Sequence, residues 1–170
     1  MKSRSRFRNL SGFTMIELMI VVVIVTIATS MATPGLQKAY ERMKYRAAVR
    51  NVTSTLRLAR STALTIKQQV GIQFDDATKT MTVFTDYVNP TAYAFETGDS
   101  ILSVDTLPKE VIWMGTDCAN NTLAFEPNGS CGFTGGGNLY SLAYTTDMVA
   151  FHSTNVLAAT GRVATNYSFY

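Results

Sequence analysis

Histidine and cysteine are scarce in this chain: one histidine and two cysteines in 170 residues. A structural zinc site takes four ligands at characteristic spacing. Cys118, Cys131 and His152 leave at least one ligand unsupplied, so no metal site is implied. The single histidine also narrows acid–base chemistry. Ser153 is its neighbour in sequence, but adjacency alone does not make a nucleophile and base, and His152 reads as a strand or surface residue. Gly135-Gly136-Gly137 lacks the lysine and hydroxyl of a phosphate-binding loop and reads as a flexible turn. Asp75-Asp76 lacks the repeated oxygen ligands of a calcium loop and also reads as a turn. No constellation supports an enzyme, and no cofactor is implied. With four prolines, 16% charged and 46% hydrophobic residues, the composition is that of one domain plus an attached segment.

Charge is unevenly placed. Lys2, Arg4, Arg6 and Arg8 precede Gly12 with no acid among them. Between Lys38 and Lys67 eight basic residues face the single acid Glu41, whereas from Gln68 onward three basic residues face ten acids. The formal net charge of +3 therefore conceals a basic N-terminal half and an acidic remainder.

No charged residue occurs from Leu18 to Ala32. Phe13 to Thr33 is 21 residues, and as a helix would reach about 31 Å, close to the hydrocarbon thickness of a bilayer. The basic block before it is the side expected to remain cytoplasmic, which places the rest of the chain across the membrane. A cleaved secretory signal fits less well, because the run is long and no Ala-x-Ala site follows it. A buried helix of a soluble protein leaves the basic flank unexplained. A retained single-pass anchor is the favoured reading, and Glu17 at its start is its anomaly, since a carboxylate in hydrocarbon demands a partner or a function.

Pro34 and Gly35 interrupt the helical pattern, and a kink or local melting near Thr33 is expected because proline lacks the amide proton. The pattern then resumes. Leu36, Tyr40, Met43, Ala47, Leu56, Ala59, Ala63 and Ile66 recur mainly at spacings of three and four, with Val52 near the missing turn. They predict an amphipathic helix over 35–67 whose apolar stripe packs on a sheet. Lys38, Arg42, Arg46 and Arg50 form a basic stripe at four-residue intervals, which Arg57 and Arg60 extend less regularly. The stripe reads as a solvated face that packs against acidic neighbours; contact with DNA phosphates or anionic lipid is the alternative.

After Lys67 the period becomes β-like. Strands are expected at 71–74, 80–87, 101–104, 111–114, 122–125, 138–144, 148–152 and 162–167, with turn residues between them. The head, 68–170, reads as antiparallel hairpins packed on the preceding helix or as a small β-sandwich. Its expected core is Phe74, Val83, Ile101, Val111, Trp113, Leu123, Phe125, Leu142 and Val149. Cys118 and Cys131 both fall outside the cytoplasm in this topology and are expected to form a disulfide. The bridge would close a loop of 14 residues, contributing up to about 3 kcal/mol.

Ser11-Gly12-Phe13-Thr14-Met15-Ile16-Glu17-Leu18 resembles the class III processing motif of type IV pilins and type II secretion pseudopilins. The resemblance implies a leader over 1–12 that prepilin peptidase removes after Gly12, N-methylation of the new amine on Phe13, and a membrane helix over 13–34. It makes Glu17 the fifth mature residue and Pro34 the twenty-second. It also implies that Glu17 pairs with the N-terminal amine of a neighbouring subunit and so sets axial register. The whole pattern is similar to the GspH/FimT branch of minor pseudopilins and pilins, with matching residues at Leu56-Arg57-Leu58-Ala59-Arg60-Ser61 and at Gly161-Arg162-Val163. That family joins the long helix to a β-sandwich head, an α+β fold. Its implied role is structural: a minor subunit of a type II secretion pseudopilus or type IV pilus. The implied partners are other pilins or pseudopilins, the inner-membrane assembly machinery and membrane lipid. Relatives that take up DNA carry Gly-Arg-x-Arg near the C-terminus. Here Gly161-Arg162-Val163-Ala164 lacks the second arginine, leaving DNA contact through Arg162 as the lesser alternative.

Overall fold

The computed structural model describes residues 12–108, 111–133, 135–144 and 150–169. The chain divides into two compact units, Met1–Arg42 and Met43–Tyr170. Helix α1 (Met15–Ile66) runs through the described part of the first and is the opening element of the second.

In the first unit the helix is exposed at every position except the half-buried Glu41, and it is long and apolar enough to cross a membrane. Its hydroxyls fold back on the backbone. Thr26 donates to the carbonyl of Val22 and Thr29 to that of Val25, each at 2.7 Å. Ser30 donates to Ile27 and Thr33 to Thr29, each at 2.8 Å. Every one of these hydroxyls is thereby satisfied within the helix, the condition for placing it in hydrocarbon. The helix continues through Pro34 and Gly35, so the local melting expected there does not occur. A proline removes a single i to i−4 bond, and the turns on either side hold the helix together.

In the second unit the helix buries Tyr45, Ala48, Val49, Val52, Thr55, Leu56, Ala59 and Ala63, a ladder of three- and four-residue steps. This corrects part of the expected stripe. Met43 and Ala47 are exposed; each lies two residues from Tyr45, about 200° around the helix. Leu36, Tyr40 and Ile66 are exposed too. The helix ends at Lys67, which adopts φ 57° while its amide donates to the carbonyl of Ala63 at 3.0 Å.

The strands are β1 (Val70–Asp75), β2 (Thr80–Thr85), β3 (Ser100–Thr106), β4 (Val111–Cys118), β5 (Thr122–Phe125), β6 (Cys131–Gly132), β7 (Gly135–Tyr144), β8 (Ala150–Leu157) and β9 (Arg162–Phe169). They form two antiparallel sheets, a five-stranded one ordered β3-β2-β1-β5-β6 and a four-stranded one ordered β4-β7-β8-β9. All eight expected strands are present, and β6 is additional. Gly135-Gly136-Gly137, expected as a turn, opens β7 instead, with Gly135 paired to Cys118.

One core joins the helix to both sheets: Val52, Leu56 and Ala59 meet Ile72, Phe74, Val83, Leu123 and Phe125, with Cys118 and Val156 from the second sheet. Helix and sheet are also tied by a polar contact, the Thr55 hydroxyl donating to the Asp105 carboxylate at 2.9 Å. Ile101, expected in the core, is 54% exposed. A register shift on edge strand β3 sets Ser103 opposite Val83 but Ile101 opposite Phe84. The bulge moves Ile101 off the face shared by Ser103 and Asp105. The opposite face is covered at Phe84 and open at Ile101 and Val104. Phe84 lies across Gly71, where a Cβ would come within 2.2 Å of its ring, and stacks edge-on with Phe95 at 5.0 Å. Val149 lies outside the described residues, as do the side chains of Val111, Trp113 and Leu142.

Candidate functional site

Three groups of residues bear on function: the start of the helix, the exposed basic residues, and the buried polar and sulfur groups of the head.

Gly12, Phe13 and Thr14 carry no regular secondary structure and are exposed, and the helix starts at Met15. Thr14 caps it, its hydroxyl accepting the amide of Glu17 at 3.3 Å. Glu17 thus occupies the third helical position, the place where an acid best complements the free amides and the helix dipole. It is also the sole charged residue between Gly12 and Lys38. The leader expected before Gly12 lies outside the described residues.

The basic stripe divides between the units. Lys38 and Arg42 are exposed in the first, Arg46 and Arg50 in the second. None of the four joins Arg162. Instead the structure brings Arg162 to Arg57 and Arg60, with Ser61, Leu64, Gly161 and Val163, around a cleft of about 330 Å³. Helix α1 supplies one wall and the start of β9 the other. The turn between β8 and β9 makes the second wall possible. Gly161 takes φ 59° there and donates its amide to the carbonyl of Leu157 at 2.7 Å. The carbonyl of Ala158 in the same turn accepts the amide of Cys131 at 2.7 Å. Arg60 is fixed by donating from Nε to the carbonyl of Gly129 at 3.2 Å. Sequence reading singled out Arg162 but treated Arg57 and Arg60 as loose extensions of the stripe. On the helix they continue the face of that stripe, roughly two to three turns beyond Arg50, so their meeting with Arg162 depends on where β9 packs and carries no sign in local spacing.

Cys118 and Cys131 are both buried and are not bonded to each other, so the expected disulfide is not formed in this structure. Burial, reinforced by Cys118 and Glu126, pushes the Cys131 thiol up to about 12. His152 lies on β8 as expected for a strand residue, but it is wholly buried rather than at the surface, and burial holds its imidazole below the usual histidine range. Asp75 and Asp76 do form the β1–β2 connection. Asp75 accepts the Thr78 hydroxyl at 2.7 Å and the Ala77 amide at 2.9 Å, which hold its carboxyl below the usual range, and Asp76 pairs with Lys79.

A long apolar helix leading into a two-sheet antiparallel head defines the class of pilin-like subunits, and the comparisons agree. The prokaryotic N-terminal methylation motif matches residues 7–33, and the type II transport protein GspH family matches residues 48–161. The type IV minor pilin FimU of Pseudomonas aeruginosa has a similar fold. In one crystal form it is 15% identical with a TM-score of 0.56, the match covering 74% of this chain and 90% of FimU. A second crystal form gives 14%, 0.51, 71% and 91%. The minor pseudopilin EpsH of the Vibrio cholerae type 2 secretion system gives 14%, 0.49, 70% and 94%. None of the curated proteins is similar enough to count as a match.

The chain belongs to the GspH family of minor pseudopilins and type IV pilin-like proteins. It is a non-catalytic structural subunit with a single inner-membrane span, a periplasmic head, and incorporation through the N-terminal helix.

Proposed function

We propose that this subunit joins the filament by exchanging lipid contacts of its apolar helix for contacts with neighbouring helices, with Glu17 setting the axial register. Prepilin peptidase first removes the leader after Gly12, and the new amine on Phe13 is methylated. The carboxylate of Glu17 then pairs with the N-terminal amine of an adjacent pilin or pseudopilin. Either charge alone is expensive to bury, and the pair forms at one axial offset only. The observation that carries this reading is the isolation of Glu17: one carboxylate in the first turn of an otherwise uncharged run, four residues beyond the exposed Phe13. Energy for extraction from the bilayer comes from separate assembly machinery, since this chain carries no nucleotide-binding motif.

The test compares Glu17→Ala and Glu17→Gln for recovery in sheared or immunoprecipitated filaments against total membrane protein. The glutamine keeps the helix start polar while removing the charge. Both variants are expected to reach the membrane and to be depleted from filaments. Normal incorporation of Glu17→Gln rejects the charge-pairing role.

A further inference from the structure

We propose that the cleft formed by Arg57, Arg60 and Arg162 is a docking site for an acidic loop of a protein partner, and that it takes one or two carboxylate side chains. The cleft has a composition that calls for an anion: three guanidinium groups and no acid line it. None of the three has an ion pair among the described residues. The cleft lies where the basic helix, eight basic residues against one acid from Lys38 to Lys67, meets a region with ten acids against three basic residues from Gln68 onward.

The arginine geometry is already set. Arg60 is half-buried; its Nε is committed to Gly129, and its side chain lies over Gly161, where a Cβ would come within 3.0 Å of Nε. Its two terminal amino groups make no hydrogen bond to the described residues and keep the planar fork that suits a carboxylate. Arg57 and Arg162 are exposed at the rim and free to close on a bound group. Leu64 and Val163 supply apolar lining for the methylenes of a glutamate. A volume of about 330 Å³ admits a few residues of a loop.

Duplex DNA fits this site less well. A phosphate backbone tracks over a long surface and needs cations spaced along it. Here the three arginines converge on one small recess rather than along a track. Who presents the loop follows from the filament reading above, namely a neighbouring subunit, while the chemistry of the cleft stands without it.

The experiment uses the full chain in nanodiscs of neutral lipid and follows fluorescence anisotropy at low ionic strength. The probes are a short fluorescein-labelled glutamate-rich peptide, its glutamine counterpart, and a short labelled duplex. Arg57→Gln and Arg162→Gln alter exposed side chains and leave the Arg60–Gly129 contact in place, so folding is preserved. Each is expected to weaken binding of the acidic peptide about tenfold, while Arg50→Gln, outside the cleft, leaves it unchanged. Equal binding of the glutamine peptide, unchanged affinity in both cleft variants, or displacement of the acidic peptide by the duplex at lower concentration would each overturn the proposal. Because Glu17 is untouched in these variants, the outcome is independent of the register test.

Discussion

Gly161 abuts Gly129 so closely that a Cβ on Gly161 would lie 2.2 Å from the Gly129 carbonyl oxygen, the same oxygen that accepts Arg60 Nε–H at 3.2 Å. One carbonyl thus locates the β8–β9 turn and the helix arginine together. Gly161 also sits at φ 59°, where a side chain is strained even in open space. Gly161→Ala is therefore expected to destabilise the head by about 2–3 kcal/mol, read as a lowered urea midpoint for the full chain in detergent. An unchanged midpoint would show that the contact is dispensable.

The hydrogen bond from Thr55 to Asp105 crosses from the buried face of α1 to the edge strand β3. Thr55→Val keeps the shape and removes the donor, so it is expected to cost about 1–2 kcal/mol. Combining it with Asp105→Ala should give less than the sum of the two single effects, by about 1 kcal/mol. Strict additivity would mean that the bond contributes nothing to the seating of the helix.

Local pattern made much of this fold legible, and long-range pairing did not. The apolar run, the helix beyond it and eight strands were readable because each declares its period within a few residues. The partition into two sheets was not, since β4 leaves its sequence neighbour β3 to pair with β7, while β5 returns to β1. Ile101 was misplaced for a related reason, because a bulge inverts the facing of an edge strand without changing its composition. Gly135-Gly136-Gly137 carries turn chemistry, yet pairing of Gly135 with Cys118 at the end of β4 draws it into a sheet. The cleft needed tertiary structure too, as Arg57 and Arg162 are 105 residues apart in sequence. Its one legible sign was the Gly161-Arg162 pair.

His152 gives the head a pH response. It lies on β8 between Leu142 and Tyr167 of the flanking strands, fully buried, and burial lowers its pKa from 6.5. Below pH 6.5 the unfolded chain binds a proton that the folded head resists, so stability falls as pH drops toward the folded-state value and is flat above 6.5. The slope cannot exceed about 1.4 kcal/mol per pH unit for one group. Asp86 acts in the opposite sense. Burial and the neighbouring Asp99 raise its pKa above 3.8, so its contribution declines as pH rises from there. Comparing His152→Gln with the parent chain by chemical denaturation at successive pH values isolates the histidine. The variant should lose the slope just below pH 6.5, and an identical slope in both proteins would refute the assignment.

The two cysteines make the last prediction. Cys118 ends β4 and Cys131 begins β6, so they belong to different sheets while sharing one core. Burial raises the Cys131 thiol to about 12 in the folded head, which makes it a poor nucleophile there. Both sulfurs are buried and not bonded to each other, so a maleimide added to the native protein is expected to label them slowly. Denaturation without reductant should then expose both thiols to complete labelling. Cysteines that stay unlabelled after denaturation until a reductant is added would show that a bridge, and not packing alone, holds the helix and sheets together.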